Sequence, residues 1–146
     1  MAEVVVVRMK ETLEADFATA DTGLPRADHR QLNPIHAIHE LTPYGMMLAS
    51  LGACTAILLL SYARNHRVHL RQVEVRASYA RVFADDCEDC QEIGEYREKI
   101  EAEVGFSGDL TEAERSKLFA ISRHCPIHKI LHDGIETVWR EATAQG

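Results

Sequence analysis

Thr42-Pro43-Tyr44-Gly45-Met46-Met47-Leu48-Ala49-Ser50-Leu51-Gly52-Ala53-Cys54-Thr55-Ala56-Ile57-Leu58-Leu59-Leu60-Ser61-Tyr62-Ala63 is the stretch on which the fold turns. Thr42 is a good N-cap and Pro43 suits the first helical position, so a helix is expected from here to about Arg64-Asn65. No residue between Tyr44 and Ala63 is charged, and apolar character all round a helix means burial on most sides. Ala49, Gly52, Ala53 and Ala56 place small side chains where another backbone can come close. An uncharged run of about 20 residues is also long enough to span a bilayer. Its Gly45, Ser50, Gly52, Cys54, Thr55 and Ser61, and its amphipathic surroundings, favour a buried central helix instead. A chain of 146 residues has little with which to surround such a helix, so a second subunit is a natural cover.

Outward from this helix the pattern changes to strand period. Val4 to Lys10 is rich in β-branched residues, and Leu13 to Ala20 follows closely enough for a hairpin. Asp21-Thr22-Gly23-Leu24-Pro25 is turn chemistry. Gln31 to Leu41 offers a third strand, which Pro34 restricts to an edge or bulge. Beyond the helix, Val68 to Phe83 and Tyr96 to Phe106 alternate apolar and polar residues and read as antiparallel neighbours joined by the acidic segment Asp85 to Glu95. Thr111-Glu112-Ala113-Glu114 is a capping box that starts a helix running to about Arg123. Pro126 starts a short helix, with Cys125 as its N-cap and Asp133-Gly134 as its end. Ile135 to Trp139 is expected as a last strand. Strands, a long helix, strands, helices and a strand make a single α+β domain over residues 1–146.

The composition, 46% hydrophobic and 27% charged, is that of a globular domain, and the net charge of −7 argues against a nucleic-acid partner. The opening apolar run, Val4 to Val7, is too short for the centre of a secretory signal. Four cysteines without such a signal fit a reducing compartment, so the cytoplasm is the expected location, with no membrane partner.

The thiols carry the chemical interest. Cys54 sits in the apolar run and Cys125 in Arg123-His124-Cys125-Pro126-Ile127-His128, and chemistry that needs one thiol to attack and another to resolve would use such a pair. The plainer reading makes Cys54 a small core hydrophobe and Cys125 an incidental loop residue. At a helix start, Cys125 would feel the positive end of the helix dipole, with Arg123, His124, His128 and Lys129 nearby in sequence. Cys54 lies well inside its helix, where burial alone raises its pKa. It would need a cation delivered by the fold, from Arg8, Arg26, Arg30, His36 or His39. Local physics therefore makes Cys125 the more acidic thiol. Cys87-Glu88-Asp89-Cys90, preceded by Asp85-Asp86, is a poor nucleophile pair because its carboxylates oppose thiolates. It could be a local disulfide, exposed reduced thiols, or half of a zinc site completed by His124, Cys125 or His128. The eight histidines form no HExxH motif, and there is no phosphate loop, serine elbow or paired-carboxylate arrangement.

Thr42-Pro43-Tyr44 leading into Leu48-Ala49-Ser50-Leu51-Gly52-Ala53-Cys54-Thr55, with Arg123-His124-Cys125-Pro126-Ile127-His128 downstream, resembles the OsmC/Ohr family. The likeness extends to Asp86-Cys87 through Cys90 and to Gly108-Asp109-Leu110-Thr111, and looks closest to an OsmC-like branch. The resemblance implies an intertwined homodimer of antiparallel sheets around long central helices, with active sites at the subunit interface. It implies reduction of organic hydroperoxides by cysteine, without metal, haem or other cofactor. Cys54 would attack the peroxide, Cys125 would resolve the sulfenic acid, and a dithiol such as dihydrolipoamide would restore the pair. In one place the sequence departs from the peroxidase pattern. Where well-studied members carry a Glu shortly after the Pro, this chain has Tyr44 and Gly45.

Overall fold

The computed structural model describes residues 3–20, 32–83 and 96–143. The turn at Asp21–Pro25, the acidic segment with Cys87 and Cys90, and Arg26 and Arg30 lie outside the described residues. Strands β1 (Glu3–Lys10), β2 (Ala15–Ala20), β3 (Asn33–Ile35), β4 (His69–Phe83) and β5 (Tyr96–Asp109) form one antiparallel sheet in the order β3-β2-β1-β4-β5. Helix α1 (Pro43–Asn65) packs on β1 and β4, α2 (Glu112–Ser122) packs on α1 and β5, and α3 (Pro126–Asp133) packs on α1. This is the α+β class expected from the sequence, with a sheet laid against a long central helix.

Side-chain alternation explains the layering. Val5, Val7 and Met9 on β1, with Val73, Val75, Ala77 and Tyr79 on β4, face the helix and are nearly or fully buried. Leu48, Leu59 and Ala56 of α1 meet them, each 0% exposed. Leu118, also 0% exposed, is the buried residue through which α2 joins this core. On the opposite face of the sheet Arg8 on β1 pairs with Glu74 on β4 at 3.2 Å, beside Val6, which is 1% exposed.

The helix boundaries follow from caps. The Thr42 hydroxyl accepts a hydrogen bond from the Gly45 N–H at 3.1 Å, with Pro43 in the first turn. The Thr111 hydroxyl accepts from the Glu114 N–H while the Glu114 carboxylate accepts from the Thr111 N–H, closing the expected capping box. After α1, Arg67 adopts φ 55° and turns the chain into β4. Pro34 sits where its missing N–H is harmless, on the short edge strand β3.

α1 is long and apolar enough to cross a membrane by length and composition, but half of its apolar window is buried within this chain. It is the core helix of the domain. Its outward stripe, Ser50, Cys54, Ile57 and Ser61, is partly or well exposed and carries no charge.

The last expected strand is corrected. Ile135 to Trp139 has no regular secondary structure, and Ile135, Val138 and Trp139 are 69%, 62% and 88% exposed. The apolar pattern there is strand-like, but a strand forms only by pairing, and this segment pairs with none of the described strands.

The tightest point between helix and sheet is Gly52. A Cβ placed on it would come within 2.7 Å of Val7 Cγ2 and 3.2 Å of Val7 Cβ, so β1 touches the helix backbone directly. Gly52→Ala should therefore destabilise the protein by about 1–3 kcal/mol through overpacking. Gly105→Ala, whose Cβ would meet only the Glu74 carbonyl at 3.9 Å, should cost little or nothing. Urea unfolding of the two variants side by side checks the contrast.

Candidate active site

Because Gly52 is turned toward the sheet, the residue two places on points about 200° around the helix, away from the sheet. That residue is Cys54, and the element packed on α1 at this face is α3. The start of α3 presents Cys125 at its N-cap, preceding Pro126 in the first turn. The two sulfurs are hydrogen-bonding neighbours, although 71 positions separate them in the chain. Both are free thiols.

The burial of Cys54 departs from the sequence expectation. Cys54, read as the buried thiol, is partly exposed on the outward stripe of α1. Cys125, at the helix start, is 0% exposed. The cause is packing: α1 shows its sheet-facing side to the core and its Cys54 side to α3, whereas α3 tucks its first residue beneath itself.

Acidity divides the pair as local physics predicts. Burial pushes the Cys54 thiol up, and the neighbouring Cys125 sulfur pushes it further through its hydrogen bond and charge. The Ile127 N–H opposes this rise without overcoming it. Burial also works against a Cys125 anion, but the His128 N–H, the Thr55 hydroxyl, the Cys54 thiol and the Ile127 N–H together outweigh it. Cys125 is held below its ordinary value. The Cys125 side chain makes no formal capping hydrogen bond, so the amides act as the positive end of the helix rather than as a closed cap.

Among the described residues, the expected cationic side chains are not the source. Arg123 lies over the Phe119 ring at 5.1 Å, and His124, His128 and Lys129 are exposed. The His128 ring tilts toward His132 at 6.2 Å, and it is the His128 backbone that faces the sulfur. Arg8 is engaged with Glu74 on the far face of the sheet, and His36 and His39 lie beside Glu40, whose carboxylate accepts from the His36 and Ala37 N–H groups. Among the described residues there is no cluster of three or more metal-ligating side chains, and the zinc reading of Cys87 and Cys90 lies outside them.

Two residues escaped the sequence reading, one beside the thiols and one at the start of α1. Thr55 is the buried polar side chain of the described core, 5% exposed, with its hydroxyl donating to the Leu51 carbonyl at 2.9 Å. A hydroxyl inside an uncharged helix was the available signal, since buried polar groups are the informative ones. Glu3 is the other. Its carboxylate accepts from the Thr42 hydroxyl and occupies the space a Cβ on Gly45 would need. The start of α1, with no acid in its own first turn, thus receives a carboxylate from β1.

Along α1 runs an apolar cleft of about 370 Å³ whose walls include Phe17, Ile35, Leu41, Met46, Ala49 and Ala53, the residue before Cys54, but neither thiol. Ser50, one turn before Cys54, contributes to its lining.

A family model described as OsmC-like protein matches residues 36–140, which takes in α1, both thiols and all of β4, α2 and α3. The chain belongs to the OsmC-like family. Among solved structures it is similar to an OsmC-like hydroperoxide resistance protein from Jannaschia sp. CCS1, with a TM-score of 0.56 and 13% identity. That likeness covers 99% of this chain and 95% of the other, and at such identity it establishes the fold alone. No functionally curated sequence matches the chain.

The geometry makes a definite demand on the thiol titrations. The Cys125 anion raises the Cys54 pKa, so its removal should lower it: in Cys125→Ser, alkylation of Cys54 should gain rate at lower pH than in the wild type. Mass-spectrometric mapping of Cys54 labelling across a pH series reads this directly. An unchanged profile would mean that the two sulfurs do not communicate.

Proposed function

We propose that this OsmC-like protein is a thiol peroxidase that reduces organic hydroperoxides through Cys54 and Cys125. The observation that carries this reading is the meeting of the two thiols, one partly exposed and one buried at a helix start. The hydroperoxide resistance protein that shares the fold supports the same theme.

The reaction balances with one proton shared by the pair. The proton on Cys54 passes to the Cys125 anion, leaving a Cys54 thiolate at the accessible position. This thiolate attacks the terminal oxygen of ROOH; the S–O bond forms, the O–O bond breaks, and RO⁻ leaves. Cys125 returns the proton, releasing ROH. The Cys125 thiolate then attacks the Cys54 sulfenic acid, forming the disulfide and expelling hydroxide. The sulfur pair loses two electrons and the peroxide gains them. A dithiol of the dihydrolipoamide type reduces the disulfide and restores the pair. The apolar cleft that Ser50 and Ala53 line on the same helix as Cys54 suits an alkyl tail, and burial of such a tail adds about 25 cal/mol per Å² to binding. Bulky apolar peroxides are therefore preferred over hydrogen peroxide.

A competing reading, redox sensing or small-molecule binding with little turnover, draws on the raised pKa of Cys54. The same assay separates the two. With stoichiometric organic hydroperoxide, peptide mapping should find a Cys54–Cys125 disulfide. Cys54→Ser should abolish peroxide consumption, Cys125→Ser should stop after one turnover at a sulfenic acid, and Cys87→Ser/Cys90→Ser should keep turnover. Both thiols remaining alkylatable after exposure to peroxide would defeat the peroxidase reading.

We also assign the protein as an intertwined homodimer in the cytoplasm. The uncharged outward stripe of α1 and the exposed Ile135, Val138 and Trp139 leave apolar surface that one protomer does not cover. Sedimentation at micromolar concentration should give twice the chain mass, and a folded monomer would refute the assignment.

A further inference from the structure

On the outer side of α3 two histidines stand four residues apart. His128 and His132 therefore share one face of the helix. Their ring centroids are 6.2 Å apart, the planes are tilted by 46°, and both residues are exposed. His132 Nδ1 lies 2.9 Å from the Asp133 carboxylate oxygen Oδ1. A carboxylate only accepts, so Nδ1 carries the hydrogen, and the neutral ring keeps its lone pair on Nε2.

Histidines at i and i+4 are the pair with which a helix grips a metal ion in HExxH motifs. Here Lys129 stands in the place of that glutamate, so the pair brings ligands without a general base. The Asp133 contact is a second and independent mark. Metal-bound histidines donate their other ring N–H to a carboxylate, which fixes the tautomer and makes the ligating nitrogen more basic.

We propose that His128 and His132 form a two-histidine site on the surface of α3 for a divalent transition cation of the zinc class, with Asp133 holding His132 in its ligating tautomer. Imidazole suits zinc, nickel and copper, whereas magnesium and calcium seek carboxylate and carbonyl oxygens. Nitrogens about 2.0–2.1 Å from one tetrahedral ion put their ring centroids roughly 5 Å apart, so a closure of about 1 Å by side-chain torsion completes the bite. Among the described residues no third ligating side chain joins the pair, and water takes the remaining positions. The site needs neither Cys87 nor Cys90 and is separate from the peroxidase reading.

The gain lies in the helix itself. No residue from Pro126 to Asp133 is buried, so α3 is held by its own hydrogen bonds and its packing on α1. The Cys125 carbonyl accepts from the Lys129 N–H at 3.1 Å, and the Ile130 carbonyl accepts from the Gly134 N–H at 2.7 Å. An ion shared by His128 and His132 spans the turn between these bonds. It favours the helical form, because only that form brings the two ligands together. The cation thus tightens the helix that presents Cys125 while leaving both thiols unligated.

The test adds zinc chloride to the reduced, full-length protein in a Cys87→Ser/Cys90→Ser background, so that no CxxC pair competes. Ring-nitrogen signals of isotope-labelled histidine are followed by NMR, and affinity is measured by calorimetry. One ion per chain should bind, with the His128 and His132 signals moving together and hydrogen exchange slowing at the Gly134 amide. Asp133→Asn should lose affinity on the order of tenfold, and His128→Ala and His132→Ala should each lose more. Zinc that moves only one of the two rings overturns the proposal, as does affinity that survives either alanine variant. Zinc held by the Cys54 and Cys125 thiols would leave both rings unmoved and would overturn it too. Because the ring signals are read on the parent side chains, the result stands whether or not a variant folds.

Discussion

Val7 of β1 lies against the bare backbone of Gly52, and most of the site geometry descends from that contact. A helix that approaches a sheet this closely cannot roll, because any other residue at the contact would carry a Cβ into Val7. With Gly52 fixed toward the sheet, Leu48, Ala56 and Leu59 fall into the core. Cys54 is then turned away from the sheet, and Thr55 falls between the core and the thiol face. The thiol is thus carried on the central helix of the domain, but on the side where other groups can reach it. A glycine two residues before the cysteine serves the chemistry by setting the rotation of the helix.

The two thiols differ because they occupy opposite kinds of helix environment. In the interior of α1 every backbone N–H is committed to the helix ladder, so Cys54 meets desolvation with little help from its own element. The first turn of α3 has amides with no intrahelical partner, and Cys125 sits where they point. Sulfur burial alone would have raised both. The separation between them comes from uncommitted amides and one hydroxyl, which cost less to bury than a lysine or arginine would. The result is a division between the thiol that is accessible and the thiol that is acidic. Pairing joins the two properties, since a single proton transfer exchanges them.

What could be read from the sequence was whatever depends on local chemistry. Thr42-Pro43, Thr111 with Glu114, and Pro126 each mark a helix start by the group that satisfies or omits a backbone N–H, and the helices begin where those residues put them. The alternation of Val73 and Val75 with their polar neighbours likewise announced β4, and the lowering of the Cys125 pKa runs in the direction that a place at a helix start implies. Properties set by distant parts of the chain were not legible. Ile135 to Trp139 has strand-like residues, but pairing depends on where the fold carries the segment relative to a sheet edge, which composition does not encode. The burial of Cys125 depends on how α3 meets α1. Glu3 reaches the start of α1 from β1, so a carboxylate stands at that helix end although Tyr44 and Gly45 supply none. Gly45 could be read as a missing acid; only the fold reveals it as the space that another acid fills.

The same stripe of α1 that leaves Cys54 accessible also leaves Ile57 45% exposed, with Ser50 and Ser61 in line. On the proposed function, assembly and chemistry would therefore meet on one surface. Water beside Cys54 opposes neither its protonation nor its attack, but it stabilises a leaving alkoxide poorly compared with a directed donor, and it competes with an alkyl tail for the cleft. A partner laid along this stripe would exclude that water, deepen the apolar cleft and strengthen the influence of the α3 amides by lowering the local dielectric. Desolvation would raise Cys54 further at the same time, so closure favours the state in which the proton lies on Cys54 and the charge on Cys125. The balance between access and acidity is in this way tied to the surface that the fold leaves uncovered, and it is set jointly by the rotation of α1 and by whatever lies against it.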